Sequence, residues 1–254
     1  MRSEPVRYLS EPAAVSMDDR WYEIASLEHP WIVRRFEVLR RLGDSLIQQS
    51  SSIAEFGCGH GLLQRQVEDF YHLPVTGFDL NEAALKQTAA RSSPVCCYDL
   101  LEQRPEYEGR FDLILLFDVL EHIQDEEAFL RALLFHLGPA GRVLINVPAF
   151  QSLASAYDRA VGHLRRYNVR SLSNAAQRSG MDLASWTYWG LPLMPLLMLR
   201  KLWLAGRSDQ HIVSAGFESH GRVMDRMLLW LSRCEPIPQH LVGTSLMGVL
   251  VRSF

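Results

Sequence analysis

Glu55-Phe56-Gly57-Cys58-Gly59-His60-Gly61 closes a short apolar run, Ser52–Phe56, and opens an amphipathic stretch, Leu62–Tyr71. Glycines at alternate positions let a strand turn sharply into a helix and let the backbone approach a ligand with no Cβ in the way. The helix that follows presents unsatisfied N–H groups to whatever sits above the turn. Asp79 ends the next apolar run, Pro74–Phe78, where a carboxylate is well placed to accept hydrogen bonds from two ribose hydroxyls. The alternation continues: the runs Pro94–Cys97, Phe111–Phe117 and Arg142–Val147 are separated by helical spacing over Glu82–Arg91 and Glu126–Leu137. Strand and helix in steady exchange predict a parallel sheet covered on both faces. The fourth run is almost wholly apolar, as a strand buried on both sides should be.

The flanks have a different texture. The opening to about Ser16 reads as a mobile arm, and Asp18–Gln49 as two helices broken near Pro30. After Val147 come a polar segment (Pro148–Asn168), a helix (Val169–Ser179), a strand (Asp182–Trp189), a second helix (Arg222–Cys234) and a closing strand (Thr244–Val251). With 254 residues, the chain holds one decorated domain or two small ones. At 48% hydrophobic and 22% charged, it matches soluble globular proteins rather than disordered or coiled-coil chains. Lys+Arg 26 against Asp+Glu 29 gives −3, so no nucleic-acid partner is expected. Cys58, Cys96, Cys97 and Cys234 are too few for a disulfide framework and lack metal-ligand spacing, so no metal is expected. Met1–Arg20 lacks the apolar core of a signal peptide, which makes a reducing cytoplasm the expected location.

A glycine turn with a ribose acid fits two ligand classes, and a ligand-free turn is a third reading. Dinucleotide binders place G-x-G-x-x-G here. In this chain the third glycine comes one position early, at Gly61, and Leu62 stands where that pattern takes Gly or Ala, which disfavours NAD and an NAD-dependent oxidoreductase. The turn, then Phe78-Asp79-Leu80, Tyr98-Asp99-Leu100, Phe111-Asp112-Leu113-Ile114 and Asp118-Val119-Leu120-Glu121-His122, together resemble the class I S-adenosylmethionine-dependent methyltransferases. Within them the chain is similar to the small-molecule, ubiquinone-biosynthesis-like branch (types 11 and 12), over roughly Trp31 to Asn168.

The resemblance implies a Rossmann-like α/β fold. Its sheet would have seven strands, mostly parallel with the last antiparallel and inserted beside the sixth, and helices on both faces. It divides the chain into N-terminal arm and helices (1–50), S-adenosylmethionine-binding core (51–189), helical insertion or cap (190–243) and closing strand (244–254). It also implies roles. Gly57, Cys58, Gly59 and Gly61 would pack on the methionine and ribose part of the cofactor, with Glu55 supporting the loop. Asp79 with Leu80 would take the ribose hydroxyls. Asp99, beside Tyr98 and Leu100, would meet the adenine amino group or simply cap its loop. Phe117 and Asp118 would line the methionine moiety and the methyl-transfer channel. Trp21-Tyr22 and Trp31 with Arg35 fit a preceding helix that closes over the cofactor, or core aromatics.

Methyl transfer from a sulfonium needs alignment and exclusion of water, and a base only when the acceptor must lose a proton. His122, just past the fourth strand, is a candidate base or a loop cap. Asp158-Arg159-Ala160-Val161-Gly162-His163-Leu164-Arg165-Arg166-Tyr167 reads as a substrate loop, similar to a G-H-x-R-R-Y run in related methyltransferases. In it His163 is a second catalytic candidate, and Arg165, Arg166 and Tyr167 are substrate contacts unless the arginines serve salt bridges. The apolar cluster over 186–204, interrupted by Pro192, Pro195, Arg200 and Lys201, falls short of a membrane span. It is read as a cap, a homodimer surface or a peripheral membrane contact. The expected activity is methylation of a small molecule, with a lipophilic acceptor as the option that would explain an apolar mouth, against the alternative of a non-catalytic S-adenosylmethionine-binding partner subunit.

Overall fold

The alternation of apolar runs and amphipathic stretches folds into one mixed sheet between two layers of helices. The computed structural model describes residues 6–13, 25–204 and 221–253. Its strands are β1 (Arg7–Tyr8), β2 (Ile53–Phe56), β3 (Thr76–Asp79), β4 (Val95–Cys97), β5 (Phe111–Phe117), β6 (Leu137–Pro148), β7 (Met181–Trp189) and β8 (Ser245–Arg252). The helices are α1 (Pro30–Gln49), α2 (Leu62–Tyr71), α3 (Glu82–Lys86), α4 (Glu126–His136), α5 (Ala156–Ala160), α6 (Val169–Arg178), α7 (Met194–Leu204) and α8 (Arg222–Ser232). The strand order is β1-β4-β3-β2-β5-β6-β8-β7; the β6–β8 and β8–β7 pairings are antiparallel and all the others parallel.

The order explains where a ligand can sit. The chain leaves β2 toward β3 and β4, then crosses back to β5 on the other side. The loops after β2 and β5 therefore part, opening a crevice at the carboxyl ends of the strands. β5 shows the period of two: Leu113, Leu115 and Phe117 pack toward Val38, Leu39 and Ile47 of α1 and Leu63 and Val67 of α2, while Ile114 and Leu116 pack with Leu130 and Leu133 of α4 and Leu172 of α6. Both faces are dry, which is why this run carries so few polar residues. At the start of α1, the His29 side chain accepts the Trp31 N–H and Pro30 fills the first turn, where its missing donor costs nothing.

Three expectations change, and one falls partly outside the described residues. The sheet has eight strands rather than seven: Arg7 and Tyr8, expected in a mobile arm, pair in parallel with Cys96 and Cys97. Two residues carry no periodicity, yet their backbone covers an edge that would otherwise be open. The helix expected over Glu82–Arg91 stops at Lys86, because the Glu68 carboxylate accepts the N–H groups of Arg91, Ser92 and Ser93 and holds that stretch as a loop. Of the two N-terminal helices, α1 is present; residues 14–24, with Trp21 and Tyr22, lie outside the described residues. The 186–204 cluster is not one surface. Trp189 is fully buried and Trp186 packs on the core, whereas Leu196, Met198 and Leu199 of α7 are exposed; the side chains of Arg200, Leu202 and Trp203 lie outside the described residues.

The insertion between β7 and β8 is tied to the core by a buried ion pair. Arg34 of α1 reaches Glu235 at 3.3 Å, and Glu235 also accepts the N–H groups of Gly190 and Leu191 at 2.7 and 2.9 Å. Tyr188 N–H donates to the Gln239 carbonyl, so the returning chain lies against β7.

Candidate active site

The crevice between the β2 and β5 loops is a cavity of about 410 Å³, in the range of small-molecule sites. Its floor is the glycine turn. Gly57, Gly59 and Gly61 have φ of +76°, +53° and +73°, the left-handed region that glycine enters without strain. A Cβ on Gly57 would collide with Val119, so this glycine also lets the turns after β2 and β5 approach. Gly59 N–H donates to Asp79 Oδ2 at 2.7 Å and Asn81 N–H to Asp79 Oδ1 at 2.8 Å. Asp79 thus clamps the turn while lining the cavity; burial pushes its carboxyl above the ordinary value against these two donors.

Glu55, Gly57, Cys58, Gly59, Asp79, Leu80, Tyr98, Asp99, Leu100, Phe117 and Asp118 all line this cavity. Gly61 does not; it starts α2, which carries no side-chain cap there. Asp99 both lines the cavity and caps, its Oδ1 accepting the Leu101 N–H at 2.9 Å. The Tyr98 hydroxyl lies in the core, 2.9 Å from His136 Nε2. Trp31 and Arg35 close one side from α1, with the Arg35 guanidinium over the Trp31 ring at 4.8 Å and over Phe117 at 5.4 Å. Arg35 Nη1–H donates to Asp118 Oδ2 at 2.6 Å. Burial raises the Asp118 carboxyl despite that guanidinium.

Glu55 tests whether these residues suit a polar ligand. It is buried, its Oε2 has no hydrogen-bond partner among the described residues, and it lies on the cavity wall. Such an orphaned polar atom beside a left-handed glycine turn fits a polar ligand that can pair with it. Burial pushes its pKa to about 8, against the pull of Arg35. Between the unfolded carboxylate value of about 4.3 and about 8, the folded state keeps a proton the unfolded chain has lost, so stability falls as pH rises through that window. Glu55→Gln should flatten that fall, read from thermal midpoints between pH 4.5 and 8; an unchanged slope would contradict the buried neutral carboxyl.

His122 lines the cavity, and burial with His163 beside it pulls its pKa down to about 3. His163 stands behind it, off the cavity wall, with ring centroids 4.9 Å apart. His163 Nδ1 is 3.0 Å from Asp158 Oδ1, and Nε2 is 3.8 Å from Glu121 Oε1. Asp158 also accepts from Arg166 Nε–H at 2.5 Å and Ser155 N–H at 2.8 Å; against the pull of burial, the His163 and Arg166 contacts hold its carboxyl below the usual range. Glu121 is buried, and burial and Asp118 push its carboxyl well up. The ligand atoms of Glu121, His122 and His163 lie within 4.8 Å of one another, a grouping able to hold a metal ion that the linear sequence does not announce.

Two of the three expected substrate contacts, Arg166 and Tyr167, are engaged within the protein. Arg166 is spent on Asp158 and on the Ala149 carbonyl at 3.2 Å. Tyr167 is buried, donating to Glu126 at 2.7 Å. Arg165 pairs with Glu126 at 3.0 Å and stays partly exposed. The sequence reading missed Asp158 as the partner of His163 and Asn146, which donates to Asp118 Oδ1 at 2.8 Å. Asn146 had one signal: it is the only polar residue within the apolar run Val143–Val147.

Comparison with known proteins agrees with this geometry. Residues 31–185 match the family model described as a methyltransferase domain. A probable S-adenosylmethionine-dependent methyltransferase of Mycolicibacterium smegmatis is 25% identical over 159 residues, 61% of each chain. A ubiquinone biosynthesis O-methyltransferase of Marinobacter nauticus is 30% identical over 100 residues, 36% of this chain and 42% of that one. The chain thus spans about three fifths or less of these relatives' length. The crystal structure of a SAM-dependent methyltransferase from Archaeoglobus fulgidus superposes with a TM-score of 0.56 at 16% identity, covering 92% of this chain and 98% of that one, which establishes the shared fold. With more than half its length matched by the family model, and with the glycine turn, Asp79 and Asp118 gathered at one cavity, the chain belongs to the methyltransferase-domain family, of the class I S-adenosylmethionine-dependent type.

Proposed function

We propose that the cavity binds S-adenosylmethionine and that the protein transfers its methyl group to a small, lipophilic acceptor. The observation that carries this is the left-handed Gly57–Gly61 turn gripped by half-buried Asp79, whose carboxylate keeps acceptor capacity beyond its two backbone donors. S-adenosylmethionine supplies a methyl group already activated on a sulfonium. Glu55, Gly57, Cys58 and Gly59 support its methionine and ribose, and Gly61 fixes the start of α2. Asp79 and Leu80 take the ribose hydroxyls, Tyr98, Asp99 and Leu100 form the adenine side, and Phe117 and Asp118 flank the methionine moiety. Trp31 and Arg35 exclude water from the α1 side. The ubiquinone O-methyltransferases among the relatives support a small lipophilic acceptor.

His122 meets the acceptor, and His163, oriented by Asp158, steers the His122 ring. Arg166 and Tyr167 brace the loop rather than touch substrate, leaving Arg165 as the substrate contact. His122→Ala and His163→Ala should each lower turnover on the order of a hundredfold while S-adenosylhomocysteine affinity stays at the wild-type value. Undiminished turnover in both variants would move the pair to a structural role. The test of the whole reading is transfer of labelled methyl into organic-extractable acceptors; label that stays with S-adenosylmethionine across an acceptor panel contradicts it.

Exposed Leu196, Met198 and Leu199 are the expected partner face, for lipid or a second copy. Flotation with vesicles assigns them to lipid and sedimentation as a dimer to a second copy; a monomer that stays below the vesicles contradicts both.

A further inference from the structure

The polar atoms at the back of the cleft form a closed path. Trp189 Nε1–H donates to Asn146 Oδ1 at 2.9 Å, Asn146 Nδ2–H donates to Asp118 Oδ1 at 2.8 Å, and Arg35 Nη1–H donates to Asp118 Oδ2 at 2.6 Å. Arg35 lies over Trp31, and the Trp31 and Trp189 rings meet at 5.9 Å between centroids, which returns the path to its start. Trp31, Arg35 and Asp118 line the cavity; Asn146 and Trp189 are fully buried behind it.

The chemistry of the amide makes this path directional. An asparagine presents one accepting and one donating group, and its neighbours decide which faces where. The indole N–H can only donate, so it takes the Asn146 oxygen and turns the amide nitrogen toward Asp118. Asp118 has φ +59°, a conformation that a residue with a side chain adopts only when held. Asn146 holds it twice, since the Asp118 N–H also donates to the Asn146 carbonyl at 2.9 Å.

We propose that Asn146, aimed by Trp189, is a positioning residue that sets the Asp118 carboxylate and, through it, the Arg35 guanidinium against the cofactor; this rests on the S-adenosylmethionine reading of the cleft. Calorimetric titration with S-adenosylhomocysteine tests it without any acceptor. Asn146→Leu should weaken binding about tenfold in the otherwise native chain and have no further effect in an Asp118→Ala background, because contacts that act through one group are not additive. Trp189→Phe keeps an aromatic side chain and loses the indole N–H donor, so it should weaken binding in the same direction by less. Asn146→Asp should bind poorly at neutral pH and recover as pH falls, because a protonated carboxyl donates to Asp118 where a carboxylate repels it. Arg35, Glu55, Glu121 and His163 also bear on Asp118, so the wild type over the same pH range is the reference.

Equal losses in both backgrounds, native affinity in Asn146→Leu, or an Asn146→Asp profile that parallels the wild type would overturn the positioning role. Wild-type protein that fails to bind S-adenosylhomocysteine would instead overturn the cofactor reading beneath it.

Discussion

Asp79→Ala should weaken S-adenosylhomocysteine binding by about 1–3 kcal/mol, roughly 5- to 150-fold, the scale of charge-assisted hydrogen bonds lost at a half-buried acceptor. Two effects add. The variant loses the groups assigned to the ribose hydroxyls, and it strands the Gly59 and Asn81 N–H groups that now donate to the carboxylate. Asp79→Asn separates them, because an amide oxygen can satisfy one backbone donor but carries no charge for the ribose. Its affinity should fall between those of the wild type and the alanine variant. The pH dependence follows from burial, which raises the Asp79 carboxyl. Binding uses the ionised form, so affinity falls on the acid side, starting at a higher pH than an ordinary aspartate would give. Unchanged affinity in Asp79→Ala would remove the ribose assignment.

Glu235→Ala should cost about 3–5 kcal/mol of stability, as when one member of a buried ion pair is deleted and the other is left uncompensated. Arg34 and Glu235 are each only 1% exposed in their side chains, and the Gly190 and Leu191 N–H groups depend on the same carboxylate. Glu37, 3.3 Å from Arg34, offers partial relief and is itself shared with Arg233. The loss should appear in urea unfolding monitored by tryptophan fluorescence. A change below about 1 kcal/mol, the range of an exposed pair, would mean the insertion is not anchored through this contact.

Much of the core was legible because its signals are local. The turn at Gly57–Gly61 needs left-handed backbone, and glycine advertises that position by position. β5 is buried on both faces, and a two-sided strand writes itself as an almost wholly apolar run, broken here only at exposed Asp112. Asp79, Asp99 and Asp118 each close or follow a strand on the crevice side, so their order along the chain already gathers them.

What was missed depends on contacts between distant segments. β1 is two residues that gain their structure from the open edge of β4, and nothing in Arg7-Tyr8 alone signals this. The helix expected past Lys86 is cut short by Glu68, from a different element. Arg166 and Tyr167 are polar and crowded in the sequence, and their pairing with Asp158 and Glu126 forms only once the loop folds back. The cluster of Glu121, His122 and His163 forms by the same folding back, which joins two segments no spacing rule connects. Trp186 and Trp189 join the apolar cluster over 186–204 in the sequence, yet the sheet separates them from it, burying Trp189 and packing Trp186 on the core.

The most direct test of the central claim is calorimetric titration of the purified protein with S-adenosylhomocysteine, with NAD run in parallel. Saturable one-site binding of S-adenosylhomocysteine is expected, with no heat from NAD. Binding of NAD, or of neither ligand, would contradict the assignment of the glycine turn and Asp79 to S-adenosylmethionine.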